Sequence, residues 1–161
     1  MARYSNDPIK SDARRAKARR RVGYGGTCTR CGESRAEALV ARSRPKLCMQ
    51  CYAVRRGKKG TEAHHLGGEA NSPLKVEISA NDHRTLSDVQ YDWPPGALEN
   101  PDGSPLMALS NCLRGIADFI GELIVAFINR LAQAAQDIDT HLRAQYGLWW
   151  KGTDFDGWQP Q

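Results

Sequence analysis

The sequence predicts an α+β protein in which a small zinc-binding domain precedes a long C-terminal α-helix. Two C-x2-C pairs stand sixteen residues apart, at 28–31 and 48–51, and a histidine-containing segment at 61–88 has the pattern of two short strands and a helix start. From Leu106 onward, apolar residues recur at spacings of three and four, which is the period of an α-helix. The 161 residues suffice for one small domain and an accessory element.

Charge is divided unevenly along the chain. Residues 1–65 carry 17 basic and 5 acidic side chains, whereas 66–161 carry 6 and 13. The basic half favours a nucleic-acid or polyphosphate partner, and acidic small substrates fit less well. The basic segment near the N-terminus is not followed by an apolar run, so it does not resemble a secretory signal. The most apolar run, "LIVAFI" at 123–128, is too short to span a bilayer. We therefore expect a cytoplasmic protein with no membrane association.

Residues 1–26 form the first predicted segment, a basic tail or helix. Residues 1–10 are polar, and Ser11 or Asp12 can cap a helix through "ARRAKARRRV". That helix has almost no apolar face, so a solvated tail and a tail that orders on phosphate contact are equally compatible with the sequence. The residues predicted to contact a DNA backbone are Arg14, Arg15, Lys17, Arg19, Arg20 and Arg21, together with Arg55, Arg56, Lys58 and Lys59 beyond the cysteine pairs.

The cysteines dominate the start of the second predicted segment, 27–93. "CTRC" supplies Cys28 and Cys31, and "CMQC" supplies Cys48 and Cys51. In a reducing compartment such pairs are metal ligands more often than disulfides, and two short knuckles can complete a tetrahedron around zinc. Four thiolates leave no open position, so this zinc is predicted to be structural. Cys112, the fifth cysteine, lies on the predicted long helix near its apolar stripe and is expected to pack in the core.

The histidines lie in a strand–loop–strand–helix pattern. "EAHHL" at 62–66 is predicted to end one strand, "LKVEIS" at 74–79 to form a second, and "ANDHRTLSD" at 80–88 to begin a helix. Because side chains alternate along a strand, His64 and His65 are expected on opposite faces. The histidines of the strand and the helix could converge on one metal ion. The alternative is a solvated polar loop that happens to contain imidazoles.

These residues resemble the HNH endonucleases of the ββα-metal fold, which is related to the treble clef. The carriers of the resemblance are "HH" at 64–65, the four-cysteine knuckle before it, and "SANDHR" at 79–84, where Ser79 and Asp82 replace the cysteines of the family's C-x2-C-H-R pattern. The resemblance covers about residues 28–92. Ser87 stands where many members carry another metal ligand, which leaves two histidines. The resemblance implies a bacterial or phage-encoded protein.

The resemblance also implies roles for individual residues in a metal-dependent DNA endonuclease. His64 and His83 would bind a catalytic divalent ion, and His65 would be the general base. Asn71, or as second choice Asn81, would orient that base, and Arg84 would contact a phosphate. Mg²⁺ or Mn²⁺ is the expected ion, with Zn²⁺ or Ni²⁺ also compatible. The rival interpretation is a non-catalytic zinc-finger DNA-binding or adaptor protein, or a subunit of a larger phage or defence assembly.

Three further segments complete the prediction. Residues 94–105 contain "PPG" and "NPDGSP" and are predicted to be a linker of turns. Residues 106–146 are predicted to form an amphipathic helix of about 40 residues and roughly 60 Å. Its apolar stripe needs a partner, either the zinc-containing front or, as we favour, a second subunit in a homodimer or higher oligomer. The tryptophan-rich tail, 147–161, is expected to fold back on an apolar surface.

Overall fold

The described part of the protein has a mixed α+β fold with a two-stranded sheet, four α-helices and a cluster of cysteines, which confirms the predicted class at this level. The computed structural model describes residues 8–157, apart from the side chains of Pro8 and Ser11. The elements are α1 (Pro8–Val22), α2 (Met49–Arg55), β1 (Thr61–His65), β2 (Lys75–Ser79), α3 (Ala80–Gln90) and α4 (Pro105–Tyr146). The chain divides into two compact units, 1–122 and 123–161. None of the described helices is long and apolar enough to cross a membrane.

Helix α1 begins earlier than the sequence suggested. It starts at Pro8, so Ser11 and Asp12 lie within the helix, at its fourth and fifth residues, instead of capping it. The predictions for residues 1–7 lie outside the described chain. The helix is attached by its buried last residue, Val22, which joins the core around the cysteines, and by Arg14, which pairs with the carboxylates of Asp88 and Asp92. Helix α1 has almost no apolar face, so one buried residue and these ion pairs attach it instead.

The histidine segment forms two antiparallel strands followed directly by a helix. Thr61 pairs with Ser79 and His65 pairs with Lys75. The Ser79 side chain accepts a hydrogen bond from the Asp82 backbone N–H and so caps α3, as Ser does at helix starts. The predicted strands and the helix start agree with the structure within one residue. This β1–β2–α3 unit positions all three histidines of the segment.

The segment predicted as a linker, 94–105, is instead a packed part of the first unit. Trp93, Ala97 and Asn100 are all less than 10 % exposed. Helix α4, which follows, spans 42 residues against the predicted 40 or so. Its Asn111 is fully buried, and a Cβ at its Gly115 would overlap the backbone carbonyl of Leu66. The N-terminal part of α4 thus packs directly against Leu66, the residue that follows His65.

In the second unit, the described part of the tryptophan-rich tail, residues 147–157, folds back onto the end of α4; the predictions for residues 158–161 lie outside the described chain. The indole N–H of Trp149 donates to Asp139 at 2.8 Å, and the Arg143 guanidinium lies 4.3 Å from the ring centre of Trp150. Phe155 packs edge-on against Trp149. The tail contacts polar side chains of the helix end and packs its aromatic rings on one another, while most apolar side chains of α4 stay exposed.

Candidate functional site

The four cysteines of the C-x2-C pairs meet at one point and could hold a metal such as zinc. Their sulfur atoms all lie within 4.8 Å of one another, and the sulfurs of Cys31 and Cys48 are 3.6 Å apart. A tetrahedral ion with Zn–S bonds of ~2.3 Å needs sulfurs roughly 3.8 Å apart. The fit is therefore close. Among the residues that the structure describes, no other set of three or more His, Cys, Asp or Glu side chains gathers its ligand atoms so tightly.

The electrostatics of the cysteine cluster also suit a cation. Burial raises the pKa of Cys51, and the neighbouring thiols Cys31, Cys48 and Cys28 raise it further. The pKa of Cys31 is likewise raised, mainly by loss of hydration. Burial opposes ionisation of Cys28 too, but backbone N–H groups of Arg30, Cys48 and Cys31 outweigh it and lower the pKa to about 6. Without a cation only part of the cluster ionises, because each thiolate disfavours the next.

His64 and His83 face each other across the β1–α3 contact. Their ring centroids are 5.1 Å apart, with the planes at 88°. His64 is 3 % exposed, and strand alternation places Glu62 on its side of β1. A carboxylate oxygen of Glu62 lies 3.1 Å from Nδ1 of His83, although the two atoms lack the alignment of a hydrogen bond. The His83 nitrogen is thus buried without a directional partner, which is a position that a cation or a water could fill.

The protonation state of His64 favours metal binding. Burial lowers its pKa to about 4, and the nearby charges of His83 and His65 act in the same direction. At neutral pH the His64 imidazole is therefore uncharged and keeps a free lone pair. Neutral imidazole is the form that coordinates divalent ions. Glu62, His64 and His83 do not gather their ligand atoms as closely as the four cysteines do, so the described residues offer here two adjacent imidazoles, which suit transition metals better than Mg²⁺.

His65 is held in one tautomer by the loop between the strands. Its Nδ1 lies 3.2 Å from the backbone carbonyl oxygen of Ser72. A carbonyl oxygen only accepts, so Nδ1 must carry the proton, and Nε2 is left with its lone pair. The Gln90 amide at the end of α3 donates to the carbonyl oxygens of His65 and Leu66. The ring and the backbone of His65 are both fixed.

Of the two predicted asparagines, Asn71 lies in the loop that holds His65. Its amide N–H group donates to the carbonyl oxygens of Gly67 and Ala97, each at 2.8 Å, and its oxygen accepts from Asn111. Asn71 therefore closes the loop that presents the Ser72 carbonyl. Asn81 serves a different contact, because it accepts from the Gln50 backbone and donates to Glu33.

Basic side chains of α1 and α3 line a common cleft of ≈ 480 Å³. His83 and Arg84 lie on one wall, while Lys17 and Arg21 lie on the other. Ser87 also lines it. The structure thus brings His83 and Arg84 next to cations of the N-terminal helix. Such a groove could accept the backbone of a nucleic acid.

The remaining predicted DNA-contacting residues are distributed over several surfaces. Arg15 and Arg19 line a second cavity of ≈ 550 Å³ beside Arg35. Arg14 is engaged within the protein by Asp88 and Asp92. The other five predicted residues are exposed and line neither of these two cavities: Arg20, Arg55, Arg56, Lys58 and Lys59.

An ion-pair network that the sequence did not indicate joins the cysteine cluster to α3 and α4. Arg35 donates to Glu33 and to Asp82, each at 2.8 Å, and pairs with Glu122. Asp82 immediately precedes His83, so the network fixes the start of the histidine-bearing helix. No short motif could have signalled it, because its members are 47 and 87 residues apart in the chain.

Comparison of the chain with protein-family models, with curated proteins and with solved structures found no match. The geometry of the site is therefore the basis for a functional assignment.

Proposed function

We propose that the protein is a metal-dependent DNA endonuclease of the HNH type, bacterial or phage-encoded and acting in the cytosol. The observation that carries this proposal is the contact of His64 with His83, 5.1 Å between ring centroids, directly beside His65. His64 and His83 would hold the divalent ion, with Glu62 next to them. When bound, such an ion neutralises charge on a phosphodiester and stabilises the departing 3′ oxygen.

His65 has the properties of the general base in this proposal. The hydrogen bond to the Ser72 carbonyl leaves Nε2 able to accept a proton from an attacking water. Asn71 is its positioning residue, because it closes the loop that carries Ser72.

The cations of the cleft supply binding to the DNA backbone. Arg84 and, across the cleft, Lys17 and Arg21 are open to a phosphate. Their contacts would be to phosphates and not to base edges, so affinity should fall steeply with salt and depend little on sequence. The cysteine cluster, with zinc, would stabilise the fold next to α3.

The experiment is cleavage of supercoiled plasmid by the zinc-loaded protein in Mg²⁺, Mn²⁺ or Ni²⁺, compared with His65→Ala and with the exposed control His141→Ala. We expect wild type and His141→Ala to nick the plasmid, and His65→Ala to lose about 10²–10⁴-fold in rate while binding DNA as tightly. Cleavage by His65→Ala at the wild-type rate would exclude this base. Binding without cleavage by wild type, in every ion, would instead support a zinc-containing DNA-binding or adaptor protein.

A further inference from the structure

Helix α4 has one face that is used within the first unit. Asn111 is fully buried, Gly115 meets the backbone of Leu66, Asp118 accepts from the Trp93 indole at 2.9 Å, and Glu122 pairs with Arg35. At about 100° per residue these four positions fall within an arc of roughly 60°. This docked face is polar or small, so it does not account for the apolar residues of the helix.

The apolar residues of α4 form a stripe on nearly the opposite side. Counted at the same helical angle, the stripe lies roughly 170° from the docked face. Its large side chains are all 49–60 % exposed: Leu109, Leu113, Ile120, Ile124, Phe127, Leu131 and Ile138. No Lys, Arg, Asp or Glu interrupts these positions. An uncharged stripe of this length is unusual on the surface of a monomer.

The stripe is self-complementary when a second copy is laid against it in the opposite direction. An axis between residues 125 and 126 sets Ile124 opposite Phe127, Ile120 opposite Leu131, and Leu113 opposite Ile138. Each of these pairs is apolar on both sides, and every contact is repeated by the two-fold symmetry. A two-fold interface requires this kind of matching, because the same patch must fit itself.

We propose that α4 pairs with α4 of a second copy of the chain as an antiparallel dimer, whose two-fold axis passes between residues 125 and 126. The exposed area is sufficient. At roughly 100 Å² for each half-exposed Leu, Ile or Phe, the stripe and its flanking Leu123 offer on the order of 800 Å² per chain, the amount that each partner buries in a standard specific interface. The dimer does not depend on the nuclease assignment, since none of its residues lies in the histidine site.

The first test is the mass in solution. At about 100 µM, well above the micromolar dissociation constants that such interfaces reach, sedimentation should give wild type at twice the chain mass of 17.9 kDa. Phe127→Glu, near the axis, should return the mass to one chain. The matched control Val125→Glu changes an equally exposed residue, 56 % against 60 %, that points away from the stripe, and it should remain dimeric. Helicity by circular dichroism should be equal in all three.

The second test is the direction of the pairing. A nitroxide on Cys at position 136, introduced as Gln136→Cys in a Cys112→Ser background, lies about ten residues from the axis. An antiparallel dimer separates two such labels by roughly 30 Å along the helices, whereas a parallel dimer leaves them apart by little more than the interaxial ~10 Å and the label tethers. A monomeric wild type, dissociation by Val125→Glu as complete as by Phe127→Glu, or the short label distance would each overturn the proposal.

Discussion

The imidazoles of His64 and His83 face each other at 5.1 Å, although one belongs to a strand and the other to the helix after the next strand. The contact follows from the pairing register. Because Thr61 is opposite Ser79 and α3 starts at Ala80, the first turn of α3 returns to the face of β1 that carries Glu62 and His64. A strand residue and a helix residue are thereby brought to one point without any long connecting loop.

We expect His64→Phe to lower the affinity for Mn²⁺ at least tenfold. Phenylalanine fills the buried space but offers no lone pair, so the fold should persist while the ion loses one of its two imidazoles. Binding can be followed by the Mn²⁺ electron paramagnetic resonance signal in zinc-loaded protein, with exposed His141→Phe as the control. Equal affinity in His64→Phe and wild type would show that this imidazole is not a ligand.

Gly115→Ala should destabilise the protein by about 1–3 kcal/mol or more, because its methyl group would overlap the Leu66 carbonyl. Gly121→Ala is the matched control on the same helix. A Cβ at Gly121 meets nothing within 4 Å, so alanine should stabilise there by roughly 0.5–1 kcal/mol through helix propensity. Urea unfolding of both variants measures the difference. Opposite signs are expected, and a stabilised Gly115→Ala would mean that α4 does not sit on Leu66.

Zinc binding should release at least two protons per ion at pH 7.4. The pKa of Cys31 and the pKa of Cys51 are raised from 9.0, so both thiols are protonated before the ion binds and must lose their protons to become ligands. Cys28, with a pKa of about 6, is mostly thiolate already. Calorimetric titration in buffers of different ionisation enthalpy counts the protons. Cys112→Ser should give the wild-type count, whereas a release near zero would contradict the thiol protonation inferred here.

Arg35→Met should cost about 1–3 kcal/mol, because it leaves the partly buried carboxylates of Glu33 and Asp82 without their common donor. Arg55→Met, at an exposed position, is the control and should be near neutral. Burial raises the pKa of Glu33, but hydrogen bonds and charge from Arg35 outweigh it, so the net pKa is lowered. The stabilisation is therefore complete above about pH 4.5 and lost as the pH falls through the folded-state pKa.

The difference in stability between wild type and Arg35→Met should therefore shrink as the pH falls from 6 to 3, and unfolding of the two proteins at matched pH and zinc concentration measures it, because the acid-driven loss of zinc is common to both. If Arg35→Met retained both the stability and the pH profile of wild type, the ion-pair network would make no measurable contribution to stability.

Local chemistry explains why much of the first unit was predictable. The alternation in "LKVEIS", the helix-like run that begins at Ala80 and the cysteine spacing each act over a few residues, so the strands, the start of α3 and the grouping of the four cysteines followed from the sequence. Asn71 was favoured over Asn81 through the family resemblance and not through local chemistry; in the structure it donates to the carbonyl oxygens of Gly67 and Ala97.

The contacts that were not predicted connect distant parts of the chain. Arg35 could have paired with many of the protein's carboxylates, and only packing selects Glu33, Asp82 and Glu122. Arg14 appeared as one of several equivalent tail cations, yet tertiary contacts use it to attach α1. The role of Gly115 was equally hidden, since a helical glycine gives no sign of the backbone that lies against it.

The close contact of Gly115 with Leu66 determines where this chain can be truncated. A protein shortened before Asn111 would uncover Leu66, Gly67 and Gly68, all of which are buried in the whole chain, and would leave the strand end that carries the histidines without its support. The first turns of α4 therefore belong to the packing of the small domain, just as its strands do. A minimal version of the domain must extend at least to Glu122.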